Sequence, residues 1–174
     1  MQNIFLKFEG VDTLKGQSTS AQGKDQIELL SFSHGVSMPL SAGESSNVSR
    51  QHGRANHQDF VVTKYVDRTS PILNNYCSGG ANITKATVTV YQASETGGKS
   101  APIAFFVYTL ENVIVSSVSV GGGGGDLPIE TVTLNYTAIT WAYKVQKQES
   151  PGNEASGYVT ASWDLTKNEG VTKK

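Results

Sequence analysis

The sequence predicts an all-β fold with one short helix, a compact β-barrel or two-sheet sandwich. Three observations carry this. Val, Thr and Ser are plentiful, and Gly supplies 18 of 174 residues, the balance of a chain rich in strands and turns. Most apolar segments alternate with period two. One stretch alone shows helical spacing between a capping residue and a terminal glycine pair. A chain of this length buries roughly 70% of its extended surface, enough for a proper core. We read residues 1–166 as a single domain and 167–174 as a frayed polar tail.

The elements follow in order. Ile4, Leu6 and Phe8 share a face, so residues 4–8 open as a strand. Residues 9–25 are a polar loop. A second strand covers 26–36, with Leu30 and Phe32 toward the core and Ser31 and Ser33 away from it. Residues 37–58 are polar and Gly/Ser-rich. A loop that long between strong strands is read as partner-binding. Residues 59–68 are a strand. Thr69 or Ser70 then caps a two-turn helix, Pro71 fits its first position, and Gly79-Gly80 ends it. Its buried face is Ile72, Leu73, Tyr76 and Cys77. So short a helix must lie against the sheet.

Residues 83–92 place Val88 and Val90 inward, and Gly97-Gly98 turns the chain. In 103–120, Phe106, Tyr108 and Leu110 are in one phase and Val113 and Val115 in the other. Bulges near Asn112 and near Ser116-Ser117 reconcile them and curl the sheet. Residues 129–146 change phase in the same way, from Val132, Leu134 and Tyr136 to Ile139, Trp141, Tyr143 and Val145. That implies a bulge or corner at Thr137-Ala138. Val159, Ala161, Trp163 and Leu165 line the closing strand.

The chemistry on offer is sparse. A net charge of −1 argues against a nucleic-acid binder held by backbone electrostatics. The single cysteine, Cys77, excludes an intrachain disulfide and reads as a small buried hydrophobe. Gly121 to Gly125 precedes Pro128 and a strand rather than a helix. It is therefore a hairpin linker and not a phosphate cradle. His52 and His57 have no third ligand nearby in sequence and read as solvated loop histidines. Scattered acids, Glu130 among them, suggest no hydrolase. No catalytic, cofactor or metal site is expected, and no membrane insertion. Met1 to Phe8 lacks the basic and long apolar regions of a signal peptide, so any export is expected to proceed without one. Residue by residue, this is a binding or assembly protein.

Three segments resemble one family. They are Asp59-Phe-Val-Val-Thr-Lys-Tyr-Val-Asp-Arg-Thr-Ser-Pro71, Tyr108-Thr-Leu-Glu-Asn-Val-Ile-Val-Ser-Ser-Val-Ser119 with the glycine run, and Glu130-Thr-Val-Thr-Leu-Asn-Tyr136 leading into Trp141-Ala-Tyr143. They are similar in content and order to Hcp, the haemolysin-coregulated proteins of type VI secretion. The resemblance extends to Gly157-Tyr-Val-Thr-Ala-Ser-Trp-Asp-Leu165. It implies a barrel of two sheets with a short helix, no enzymatic activity, and hexameric rings that stack into a secreted inner tube. The implied partners are further copies of the chain, the VgrG spike, sheath and baseplate proteins, and small effectors held in the lumen. The chain would be made in the cytoplasm and leave through the machine. Without a C-terminal extension, no fused toxin is expected. Within that frame Ser41, Glu44, Arg50, His52 and Arg54 are candidates for ring stacking, and Ser31 and Ser33 for the lumen wall. A phage-tail-tube-like subunit and a secreted β-sandwich binding module are the alternatives.

Overall fold

The computed structural model describes residues 3–40, 53–92, 95–96, 99–100, 102–144 and 157–173. In chain order the first elements are β1 (Asn3–Glu9), β2 (Ile27–Leu29), β3 (Ser31–Ser33), β4 (Val36–Ser37), β5 (Asn56–His57), β6 (Phe60–Tyr65) and α1 (Ser70–Gly79). Then come β7 (Asn82–Gln92), β8 (Glu95–Thr96), β9 (Lys99–Ser100), β10 (Ile103–Gly121), β11 (Ile129–Asn135), β12 (Ala138–Lys144), β13 (Tyr158–Asp164) and β14 (Glu169–Lys173). A 3-10 turn stands at Asp12–Leu14.

Antiparallel pairing closes a barrel. β1 pairs with β7 along its length and with β2 at its start. β7 pairs with β10, β10 with β11, β11 with β6, and β6 with β3. Only Leu30 separates β2 from β3, and its N–H donates to the Thr63 carbonyl at 2.8 Å. The chain thus steps from β1 to β6 across one residue and completes the circuit. Closure removes the open edges that a flat sheet would leave. The inward rows form a continuous core that includes Leu6, Ile27, Phe60, Val62, Ile83, Val88, Leu110, Val113, Val132, Leu134 and Ile139.

This corner corrects the reading of 26–36 as one straight strand. Leu29 is buried and Leu30 is 44% exposed, whereas Phe32 packs on the core as expected. A corner residue leaves the pleat, so alternation counted across it slips by one.

β10 is the hub. Its first half pairs with β12 and its second half with β11, and the partner changes around Asn112. Asn112 has φ +50°, a left-handed conformation that Asn tolerates, and its amide donates to the Thr137 hydroxyl at 3.0 Å. The register against β7 does not slip there, so the device is a kink rather than a bulge. A bulge does lie between Val115 and Ser117, and a further one between Ala104 and Phe106. From the first half of β10 a wing runs β12–β13–β14. The residues read as a frayed tail therefore include a strand: Glu169–Lys173 pairs with Thr160–Asp164 across a four-residue turn that ends on Asn168 at φ +57°. In the wing, burial fades outward: Ile139 is buried, Trp141 and Trp163 pack on the core, and Tyr143 and Val159 are exposed.

α1 ends on Gly80 at φ +61°, whose N–H reaches the Tyr76 carbonyl. Its start rests on Asp67, which accepts from the Thr69 N–H at 2.7 Å and the Thr69 hydroxyl at 2.6 Å. Leu73 lies in the core, and Ile72, Tyr76 and Cys77 pack against it half-buried.

Candidate assembly surfaces

The outward rows of β3, β6, β11 and β10 form one face. Register aligns Ser33 with Val61, Thr133 and Ser117, and Ser31 with Thr63, Thr131 and Ser119. The third row is Tyr65, Ile129 and Gly121. None of these positions is charged. The Ser31 and Thr63 hydroxyls hydrogen-bond to each other at 2.6 Å. Both serines point away from the core, opposite Phe32. At one end of the face Asp59 accepts from Ser116 at 2.7 Å and from Asn135 at 2.8 Å. At the other, Tyr65, Val120 and Ile129 are exposed, and so is Leu127 at 69%.

The loop read as 37–58 has a folded root. Val36 pairs with His57 and Ser37 with Asn56, and the Gln58 N–H donates to the Gly35 carbonyl at 2.9 Å. Val36, Met38 and Leu40 are exposed. Of the stacking candidates, Ser41, Glu44, Arg50 and His52 lie outside the described residues, and Arg54 is exposed before β5.

His57 is not a solvated loop residue. Its ring packs 6.2 Å from Trp163 and 6.3 Å from Trp141, half-buried. His34, two residues before β4, stacks on Phe60 at 5.6 Å and lies 6.3 Å from Trp141. Its Nε2 is 2.6 Å from the Tyr136 hydroxyl, which also donates to the Gln58 carbonyl at 3.2 Å. Burial lowers the pKa of both histidines, and repulsion from His57 lowers that of His34 further. Burial, and to a lesser degree the Asp59 carboxylate, pushes the Tyr136 phenol up to about 12. Sequence reasoning passed over this cluster because its rings come from six separate segments.

A second feature it missed is a buried ion pair. Lys64 and Glu130 face each other across β6 and β11 with Nζ–Oε1 at 2.6 Å, their side chains 1% and 0% exposed. Lys64 also reaches Asp67 at 2.9 Å and the Tyr65 carbonyl at 2.9 Å, and the Ser70 hydroxyl donates to Glu130 at 2.7 Å. The signal was present. Lys64 falls in the inward phase of Phe60 and Val62, and Glu130 in that of Val132 and Leu134. The network ties the start of α1 to the barrel, with Lys64 and Glu130 closed off from solvent. Among the described residues, no three His, Cys, Asp or Glu side chains come together to hold a metal.

Comparison with known proteins decides the family. The family model described as "Type VI secretion system effector, Hcp" matches residues 5–143. The chain belongs to the Hcp family. Protein hcp1 of Pseudomonas aeruginosa is 33% identical over 167 residues, covering 95% of this chain and 96% of that protein. The "Major exported protein" of the same organism is 25% identical over 129 residues, 70% of this chain and 71% of that protein. A solved "type six secretion system protein" superposes with TM-score 0.81 at 29% identity, covering 98% of this chain and all of the other. The Hcp fold accounts for the β-rich architecture and the one helix among the described residues. It also places this chain in type VI secretion.

Proposed function

We propose that this chain is the structural, non-catalytic subunit of a type VI inner tube. Six copies close into a ring, rings stack, and the tube is exported through its own machine. The family match along residues 5–143 carries this reading.

The uncharged hydroxyl face supports a wall that passes cargo. A surface of Ser and Thr hydroxyls is hydrated and has no charge with which to hold a passing protein. Ser31 and Ser33 are the proposed lumen positions. The segment 37–58, with Arg54 at its exit, is proposed to touch the neighbouring ring. A polar contact of that kind suits a tube that must be assembled and then dispersed. Near-neutral net charge lets many copies pack without strong repulsion. VgrG, sheath and baseplate proteins are the proposed machine partners, and small effectors the proposed cargo.

Native mass spectrometry tests the ring. Six copies of an 18.6 kDa chain weigh about 112 kDa. A species of that mass at micromolar concentration is expected. A chain that stays monomeric across a wide concentration range refutes the proposal.

A further inference from the structure

His34 and His57 flank the ribbon from which the long insertion leaves the barrel. His34 stands just before β4, and His57 ends β5. Each holds its side of the ribbon to the wall. His57 does so through the two tryptophan rings of β12 and β13. His34 does so through Phe60, Trp141 and the Tyr136 hydroxyl. With that hydroxyl donating to the Gln58 carbonyl, the neutral His34 ring donates to it through Nε2. His57 Nδ1 is buried and has no hydrogen-bond partner.

We propose that His34 and His57 form an acid-sensitive clamp that fixes the β4–β5 ribbon to the β12–β13 wall and releases it when the pair takes up protons.

The surroundings argue for release. Both rings touch Trp141, so protons on both place two like charges beside one indole. Among the described residues, no carboxylate pairs with either imidazole. Tyr136 and Tyr108, which contact His34, stay neutral to high pH because burial raises both. Asp59 precedes Phe60; its carboxylate is held by the neutral Ser116 and Asn135 side chains rather than by a histidine, and it acts on the cluster only through the Tyr136 phenol. Lys64, further along β6 in the phase of Phe60, is paired with Glu130. On the wall, Asp164 follows Trp163 on the opposite phase and is bound by Thr166 and Lys167. Glu111 on β10 is out of phase with Tyr108, and Lys144 on β12 with Trp141. Arg54, exposed before β5, adds positive charge to the same root. One imidazolium on an indole face gains cation–π attraction of about 0.5–1 kcal/mol. A second proton meets the first, and burial opposes both.

Because the ribbon carries the segment proposed to touch the neighbouring ring, its release should weaken stacking; that consequence rests on the tube reading, and the clamp itself does not. The test is a pH titration from 7.5 to 5.0 on the wild-type chain, followed by histidine ring NMR and tryptophan fluorescence. Both histidines are expected to titrate below the ordinary value of about 6.5. The tryptophan signal should change with them while far-UV circular dichroism is retained. His57→Gln should move the His34 midpoint upward by removing its like-charged neighbour. His34→Gln/His57→Gln should abolish the fluorescence transition. In the wild-type chain, exchange of the Gln58 amide, corrected for intrinsic rate, should accelerate at least tenfold across the transition. That readout needs no variant. Either histidine titrating at or above 6.5 overturns the clamp, as does an unchanged Gln58 exchange rate. Sedimentation in parallel reports assembly. Rings absent at neutral pH refute the tube reading while the NMR still judges the clamp. Rings whose stacking ignores pH, with the clamp titrating as expected, overturn only the link to assembly.

Discussion

Replacing Lys64 with Met removes the cation from a dry site and leaves the packing largely filled. Wild-type Lys64 bonds Glu130 at 2.6 Å and Asp67 at 2.9 Å, and donates to the Tyr65 carbonyl at 2.9 Å. After the change, Glu130 keeps only the Ser70 hydroxyl at 2.7 Å, with Oε2 already lacking a partner. A buried charge stripped of its counter-ion costs about 3–5 kcal/mol. In a domain of this size each kcal/mol moves the melting temperature by roughly 2–4 °C, so a fall of about 6–20 °C is expected. Lys64→Met/Glu130→Leu removes both charges and should recover most of that loss, because an apolar pair of similar volume is often as stable as the ion pair. Urea and thermal unfolding of both variants give the comparison. Protein concentration must be held constant, since assembly itself stabilises the fold. A loss below about 1 kcal/mol for Lys64→Met, or a double variant no better than the single, would refute the argument.

Leu73→Ala should cost about 2–5 kcal/mol in urea unfolding, because Leu73 is fully buried where α1 meets the barrel; an unchanged midpoint would contradict its place in the core. Asp164 anchors the β13–β14 turn by accepting from the Thr166 hydroxyl at 2.5 Å, the Thr166 N–H at 2.9 Å and the Lys167 N–H at 3.1 Å. These bonds, the Thr166 hydroxyl first, hold its carboxyl down to about 2. A depressed carboxyl stabilises the folded state above its unfolded pKa, so the turn should be intact above pH ~4 and loosen as pH falls toward ~2. Asp164→Ala should lose amide protection along β14 already at neutral pH, and retained protection would argue against the anchor. Ser33→Arg should leave the ring mass unchanged and reduce recovery of a small cargo protein with the ring; undiminished recovery would remove Ser33 from the lumen wall.

Fold class, helix position and the corner at Thr137-Ala138 were legible in the sequence. Period-two burial, a proline at the first helical turn and a glycine terminator are local rules, each decided within a few residues. The family was legible as well, since its segments are contiguous. What the sequence misread was long-range. Leu30 looked inward because alternation was counted through a corner that exists only where β1 and β6 pull adjacent residues to different strands. Glu169–Lys173 looked like a tail because a short polar segment becomes a strand only when β13 offers it hydrogen bonds. Lys64 and Glu130 looked like ordinary charges on separate strands until register brought them together out of water. His57 looked solvated until the wing brought Trp141 and Trp163 against it. Local propensity specifies elements. Burial, pairing and the electrostatics of the cluster depend on neighbours distant in the chain, so only the tertiary structure decides them.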